Sequence, residues 1–97
     1  MRINSWKRPR EFAKLHPNAS SPLKAWRKEV KQAKWRSFTD LKAKFGNRVD
    51  RYKELVIFDI GGKKHRLIAA IHYNGGRLYV RHVLTHAEYD RDKWKGE

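Results

Sequence analysis

The chain contains no cysteine among its 97 residues. Disulfide bridges, thiolate nucleophiles and zinc–thiolate centres are therefore excluded, and a reducing compartment fits this composition. Long apolar runs are missing too: no segment approaches the ~20 apolar residues of a membrane span, and no apolar core of signal-peptide length stands near the N-terminus. These absences predict a soluble, cytoplasmic protein with no membrane partner.

Acidic residues are scarce as well, since Asp and Glu total 10 against 24 Lys and Arg, for a formal net charge of +14. Such an excess of positive charge on a small chain is the electrostatic footprint of a nucleic-acid binder. The alternative is solvated charge on a ribosomal or membrane-surface protein. The length predicts a single domain over residues 1–97, with a thin core because small chains bury only about two-thirds of their surface.

The first half of the chain has helical patterns. Residues 5–15 are predicted to form a helix that Ser5 caps and that stops before Pro17, because proline disfavours helical angles in the residue before it. A second helix is predicted with Ser21 as its cap and Pro22 at its first position. Apolar residues at spacings of three and four then predict a buried stripe: Leu23, Trp26, Val30 and Ala33.

The middle of the chain is less regular. Residues 39–45 are predicted to form a short helical turn that Gly46 ends, and residues 46–53 a polar loop. Residues 1–4 are a candidate edge strand. Further along, the β-rich run Leu55–Ile60 predicts one strand. Two more strands are expected over residues 65–73 and 78–84, joined by the hairpin turn signal Asn74-Gly75.

Helices followed by strands favour an α+β fold over βαβ alternation. We expect two N-terminal helices packed on a small antiparallel sheet, with a short C-terminal helix or turn over residues 85–92. Residues 93–97 are expected to fray.

Two arginines interrupt the otherwise apolar strands of the predicted hairpin. If Asn74-Gly75 is a two-residue turn, Ile68 lies opposite Arg81, and Arg66 is its diagonal neighbour about 7–8 Å away. Both guanidinium groups would then face one patch of phosphate size, and arginine offers a permanently charged fork for phosphate oxygens. The opposite face is more apolar and is expected to pack on the helices; it carries Leu67, Ala69, Ile71, Tyr73, Leu78, Val80, His82 and Leu84.

An imidazole and a phenol, those of His86 and Tyr89, stand three residues apart just after the third strand. RNA can be cut without a metal because its own 2′-OH attacks the adjacent phosphorus, which requires a base, fixed cations and an acid. Histidine suits proton transfer near neutral pH. We therefore expect His86 to transfer the proton with help from Tyr89, while Arg66 and Arg81 hold the scissile phosphate. The RNA backbone is expected to contact Lys63, Lys64 and Arg77.

No metal site or cofactor is predicted, because the five histidines are scattered without H-x₃-H or HExxH spacing. Two alternatives to a nuclease remain open. A non-catalytic RNA-binding or ribosome-associated protein would bind RNA in a salt-sensitive way, with no activity that depends on His86. A DNA-binding module is the other, and arginines on a sheet fit it less well.

Several segments resemble the HigB-type toxins of bacterial toxin–antitoxin modules. The most specific is Thr85-His86-Ala87-Glu88-Tyr89-Asp90; the others are residues 12–17, 23–26, 58–67 and 79–81. The resemblance implies a RelE-like fold and a metal-independent endoribonuclease that cuts mRNA, commonly on the translating ribosome. It also implies a helix-turn-helix antitoxin as partner, with DNA contacted only through the antitoxin complex.

The resemblance also suggests roles for single residues. The positions likened to the family's basic active surface are Arg66, Arg81, His86 and Tyr89. Members often have Asn where this chain has Asp59 and Lys63, and many have an aromatic residue where His65 stands. Asp59 adds negative charge beside the predicted site. His65 adds a possible second base, but strand alternation places it on the face opposite Arg66.

Overall fold

A computed structural model describes residues 1–96 and shows helices followed by a sheet. The α+β class is therefore confirmed. None of the helices in this range is long and apolar enough to cross a membrane. In chain order the elements are strand β1 (Arg2–Ile3), helices α1 (Lys7–Leu15), α2 (Ser20–Gln32) and α3 (Phe38–Phe45), strands β2 (Val49–Tyr52), β3 (Leu55–Ile60), β4 (His65–His72) and β5 (Arg77–Thr85), and helix α4 (His86–Asp90).

The sheet has five strands in the order β1-β5-β4-β3-β2. Strands β3 to β5 are antiparallel as predicted, β2 is antiparallel to β3, and β1 joins the edge of the sheet parallel to the start of β5. The prediction of a loop over residues 46–53 was wrong, because Val49–Tyr52 pairs along its whole length with β3. This strand carries two charged residues and owes its structure to hydrogen bonds with its neighbour.

Helices α1, α2 and α3 pack against one face of the sheet, which we call the helix-facing face. The predicted α2 stripe is confirmed for Leu23, Trp26 and Val30, which are all buried. The start of α2 was predicted slightly late, since the helix begins at Ser20. Leu67 and Ala69 of β4 are fully buried beneath these helices, and each buried leucine contributes about 1.5–3 kcal/mol by leaving water.

A bulge in β5 changes the predicted strand register. Ala69 pairs with Val80 but Ile68 pairs with His82, so Arg81 is an extra residue between these two rows. The prediction that Ile68 lies opposite Arg81 was therefore wrong. Because one extra residue reverses the alternation beyond it, His82 and Leu84 leave the helix-facing face on which they were predicted.

The C-terminal segment crosses the other face of the sheet, which we call the outer face. After α4, residues Lys93–Gly96 form a 3₁₀ turn, and Trp94 packs into a small buried cluster with Ile57 and Ile68. The prediction of a frayed end was wrong for these residues, because the indole is 3% exposed. Glu97, also predicted to fray, lies outside the described residues.

Candidate active site

Helix α4 begins with a capping box that fixes the position of His86. The Thr85 hydroxyl accepts from the Glu88 backbone N–H at 3.2 Å, and the Glu88 carboxylate accepts from the Thr85 N–H at 2.9 Å. The bond from the Thr85 backbone holds the pKa of Glu88 below its ordinary value. This reciprocal cap sets the end of β5 and makes His86 the first helical residue.

His86 is paired with a carboxylate one turn along the helix. Its Nδ1 lies 2.8 Å from an Asp90 oxygen, and the two side chains are 54% and 58% exposed. When Nδ1–H donates to Asp90, the other ring nitrogen, Nε2, is left as a proton acceptor. A carboxylate that orients an imidazole in this way is the arrangement of a general base. Asp90 was missed from the sequence, although its i, i+4 spacing from His86 was a usable signal.

Arg66 is almost buried and its guanidinium group is held on several sides. The Nε lies 3.1 Å from Asp59, with side-chain exposures of only 10% and 15%. One terminal nitrogen, Nη1, donates to the backbone carbonyls of Lys63 at 2.8 Å and His65 at 3.2 Å. These contacts hold the guanidinium group of Arg66 in one position.

Asp59 is paired with Arg66, yet it is less willing to ionise than a carboxyl in water. Burial raises its pKa, and the attraction of Arg66 and then Lys63 only partly opposes this shift. Taking two charges out of water can cost more than their attraction returns. Asp59 therefore fixes the position of Arg66 and also reduces its net charge.

Tyr89 lies between cationic and aromatic neighbours. The Arg66 guanidinium is 5.3 Å from its ring centroid, and the Trp94 ring is stacked on it at 5.2 Å. The Trp94 indole N–H also donates to the Tyr89 carbonyl at 3.0 Å. Burial raises the pKa of the Tyr89 phenol, and the nearby Asp50 raises it further. The phenol is therefore protonated near neutral pH and can donate a hydrogen bond.

Arg66, His86 and Tyr89 gather at the turn between β3 and β4, and we call them the catalytic cluster after the role that the sequence predicts for them. The His86 backbone N–H donates to the Lys64 carbonyl at 3.2 Å, one residue from the Lys63 carbonyl that accepts from Arg66. The side chains of Lys63 and Lys64 are exposed on the same turn. The structure thus brings together all but two of the predicted site residues.

The remaining two, Arg81 and Arg77, lie elsewhere on β5. Arg81 lines a hollow with Tyr52 and Lys95, and Arg77 pairs with His72 at the opposite end of β4. Sequence reasoning missed Tyr52, because its strand was not predicted, and Lys95, because its segment was expected to fray. An indole in a charged tail was an available signal for the second segment, since tryptophan is seldom left in water.

His65 does lie opposite Arg66, as alternation predicted. Its ring is 6% exposed on the helix-facing face and contacts the rings of Phe12, at 5.2 Å, and His16, at 5.9 Å. Neither ring nitrogen has a hydrogen-bond partner in the described part of the chain. Burial lowers the pKa of His65, and His16 and Lys64 lower it further. A neutral ring on this face does not reach the catalytic cluster.

Comparison with known proteins identifies the family of this chain. Residues 19–92 match the family described as HigB_toxin, RelE-like toxic component of a toxin–antitoxin system. The mRNA interferase HigB of Escherichia coli O6:H1 (strain CFT073) is 30% identical over 84 residues, or 84% of this chain and 81% of the relative. The mRNA interferase toxin HigB of Escherichia coli K12 is 28% identical over 93 residues, or 93% and 88%. This chain therefore belongs to the HigB family of RelE-like toxins, the toxic components of toxin–antitoxin systems.

Proposed function

We propose that this chain arrests growth by cleaving mRNA, as a metal-independent endoribonuclease formed by a single domain over residues 1–97. Its relatives in two Escherichia coli strains carry the name mRNA interferase. The structural observation that carries the proposal is the exposed His86–Asp90 pair, which belongs to the same short helix as Tyr89, the residue whose ring the Arg66 guanidinium contacts. The charge of +14 suits a polyanionic substrate.

His86 is the base of the proposed reaction. Its Nε2 takes the proton from the 2′-OH, whose oxygen then attacks the adjacent phosphorus and expels the 5′-oxygen of the next nucleotide. Asp90 keeps the imidazole in the required tautomer and stabilises the imidazolium that forms. No metal is needed in this scheme, because the RNA supplies its own nucleophile and side chains supply the base, the cation and the proton donor.

Arg66 and Tyr89 act on the charge that develops. The guanidinium group of Arg66 stabilises the charge of the phosphorane-like transition state, and its bonds to Asp59 and Lys63 fix it in place before the reaction begins. Such preorganised donors act chiefly on the transition state. The protonated phenol of Tyr89 donates to the departing oxygen. Lys63 and Lys64 contact the backbone, while Arg77 and Arg81 contact RNA outside the catalytic cluster.

The partners follow from the same proposal. The substrate is mRNA in the cytoplasm, where the translating ribosome presents it in extended form. A cognate helix-turn-helix antitoxin neutralises the toxin, and DNA is contacted only through their complex. Reading the gene beside this one tests the antitoxin assignment, since a small helix-turn-helix protein is expected there. Cleavage assays on free and ribosome-bound mRNA test the requirement for the ribosome.

The decisive experiment substitutes His86 by alanine. Loss of a general base is expected to lower the single-turnover cleavage rate about 10²- to 10⁴-fold. The affinity for an uncleavable RNA with 2′-O-methyl groups should not change, because His86 is exposed and supports no buried contact. His72→Ala is a matched control, since it removes another exposed histidine at the far end of β4.

A His86→Ala protein that cleaves like the wild type would refute the assignment. If the variant still arrests growth without cleaving RNA, the chain is instead a non-catalytic RNA-binding or ribosome-associated protein.

A further inference from the structure

A hollow of about 350 Å³ opens on the outer face beside the turn between β2 and β3. We call it the Tyr52 hollow. Its floor is apolar, because Leu55 and Ala70 are paired neighbours on β3 and β4. Its walls carry Tyr52, Lys53, Arg81 and Lys95, with Glu54 as the one acidic residue. An apolar floor with cationic walls suits a flat ring that carries a negative group.

The ring of Tyr52 is held in place and surrounded by positive charge. It meets the buried Trp94 edge-to-face at 5.4 Å. The Nζ atoms of Lys95 and Lys53 lie 4.9 Å and 5.4 Å from its centroid. A fixed aromatic ring next to cations is how proteins bind single-stranded nucleic acid, since every base offers a face for stacking.

The charge available for a phosphate lies chiefly on Arg81. Lys95 is partly neutralised by Asp92, at 3.4 Å. Arg81 is exposed and has no ion pair with any residue in the range 1–96. The β5 bulge supplies Arg81 as an extra residue, and bulges commonly redirect a side chain next to a functional site.

Lys53 provides a second, independent observation. Its φ is +54°, in the left-handed region, at the first position of the two-residue turn that joins Tyr52 to Leu55. Glycine is the residue that such turns favour, because side chains are strained there. Strained backbone of this kind persists most often at functional sites. A lysine at this position supplies a cation that glycine would not.

The Tyr52 hollow is separate from the catalytic cluster. Arg66 pairs with Asp59 at one end of the sheet, whereas Ala70 pairs with Leu55 four residues along β4, a distance of about 13 Å. Trp94 packs on Ile57 and Ile68 between these two rows. This distance exceeds the separation of successive phosphates along one strand, so a single nucleotide does not fill both places.

We propose that the Tyr52 hollow is a second nucleotide-binding site, in which a base flanking the cleaved linkage stacks on Tyr52 while Arg81 binds its phosphate. The assignment rests on the proposed function, because it takes RNA as the substrate. It makes Arg81 a substrate-binding residue that acts away from the reacting phosphorus. A protein segment, such as part of the antitoxin, is the competing occupant, and the excess of cations favours RNA.

The test measures binding and cleavage separately. Binding is followed by the fluorescence anisotropy of a labelled 2′-O-methyl RNA that is long enough to reach both sites. Arg81→Gln is expected to weaken binding about tenfold and to reduce the slope of log affinity against log salt by about one. Its cleavage rate at saturating protein should stay at the wild-type value. Lys44→Gln removes an equal charge from an exposed position on α3 and should leave affinity and slope unchanged.

Two further variants test stacking and separate it from folding. Tyr52→Leu keeps an apolar group against Trp94 and should weaken RNA binding about tenfold. In the complex with this variant, an RNA that carries 2-aminopurine should lose the fluorescence quenching that stacking causes. Lys53→Gly relieves the left-handed strain, so its melting temperature should stay level or rise while its RNA affinity falls. If Lys53 had a purely structural role, RNA affinity would not fall while the melting temperature stays level or rises.

Three outcomes would overturn the proposal. The first is that Arg81→Gln and Tyr52→Leu bind RNA with the same affinity as the control variant Lys44→Gln. Arg81→Gln could lose cleavage at saturating protein while its affinity is unchanged, which would place it at the reacting phosphate. Both variants could keep their RNA affinity and instead weaken the antitoxin complex. If the wild type binds RNA without cleaving it, the nuclease proposal fails, while the same affinity losses still support the hollow.

Discussion

The two faces of the sheet differ in what covers them and in what they contribute to the protein. The helix-facing face is covered by three helices and holds a continuous apolar cluster that includes Leu23, Phe58 and Leu67. Among residues 1–96, only α4 and the C-terminal turn cover the outer face, over a buried cluster of Ile57, Ile68 and Trp94. One face holds the larger apolar cluster, and the other leaves room for a ligand beside a small apolar support.

Their charged and titratable groups differ in the same way. On the outer face Arg66 has a carboxylate, two backbone carbonyls and an aromatic ring around it. On the helix-facing face His65 is buried with no hydrogen bond from either ring nitrogen to the described residues. The Arg66 cation is thus fixed by polar contacts, whereas the buried histidine is tolerated because it can remain neutral. The comparison teaches that polar groups are well satisfied where the chemistry is expected.

The largest expected difference between the faces comes from two neighbours on β4. Leu67 and Ile68 are both fully buried and point to opposite faces. Truncating either to alanine should cost about 2–5 kcal/mol of stability. Only Ile68→Ala removes the support of Trp94. We therefore expect RNA affinity and cleavage to fall in the folded Ile68→Ala protein and to be kept in the folded Leu67→Ala protein.

Urea unfolding gives the two free energies, and cleavage assays well below each midpoint give the specific activities. Equal loss of activity in both variants would contradict the expectation that only the outer face supports RNA binding and cleavage. Ile68→Val, which should cost about 0.5–1.5 kcal/mol, keeps the test informative if the alanine variant does not fold.

An intermediate effect is expected from His65→Phe on the helix-facing face. Burial holds the pKa of His65 in the folded protein below 6.5, the ordinary value that applies to the unfolded chain. At pH values between the folded pKa and 6.5, the unfolded chain therefore binds more protons than the folded one. Stability from the neutral ring is therefore present above pH 6.5 and is lost as pH falls through this window. Phenylalanine at this position does not titrate, so the loss of stability at low pH disappears. It contacts Phe12 and His16 as well, and it avoids the roughly 1–3 kcal/mol cost of buried polar atoms without partners.

Thermal melts of both proteins from pH 8 to pH 5 measure this effect. The gain from phenylalanine should grow towards low pH, and cleavage at neutral pH should not change. A gain that is the same at every pH would mean that His65 does not titrate in this window. Reduced cleavage at neutral pH would show that this face contributes to the chemistry.

Where a segment's own pattern decides its structure, the sequence was sufficient. The apolar run of β3 was predicted with its observed bounds, and the α2 stripe was predicted correctly for Leu23, Trp26 and Val30, although Ala33 lies just beyond the end of the helix. The segment of His86 and Tyr89 was also singled out correctly as a short helix or turn. In each of these cases apolar spacing or a capping residue lies within the element itself.

Where a distant partner decides the structure, the sequence was insufficient. Strand β2 exists because β3 is beside it, and Trp94 is buried because the end of the chain meets Ile57 and Ile68. The bulge at Arg81 interrupts the regular pairing of β4 with β5, and no local pattern marks it. The roles of Arg66 and Arg81 could therefore be proposed from the sequence, but their separation on the outer face could not.

The smallest expected effect concerns the carboxylate beside Arg66. Burial raises the pKa of Asp59 above 3.8, so the folded chain binds more protons just above that pH. Stability is present below pH 3.8 and is lost as pH rises through the folded pKa, which means that the ionised carboxylate opposes folding near neutrality. Asp59→Asn removes this cost and keeps an oxygen that can accept from the Arg66 Nε. The melting temperature at neutral pH should therefore rise slightly.

The same substitution frees the charge of Arg66 for RNA. Affinity for the uncleavable RNA should rise about fivefold, the equivalent of the roughly 1 kcal/mol of a charge pair at 4 Å in water. Asp50→Asn is the matched control, because it removes an exposed carboxylate from the same face and should raise affinity less. A fall in affinity or cleavage for Asp59→Asn would show that the carboxylate is needed to hold Arg66 towards its substrate. The outer face would then depend on the full ion pair as well as on the position it fixes.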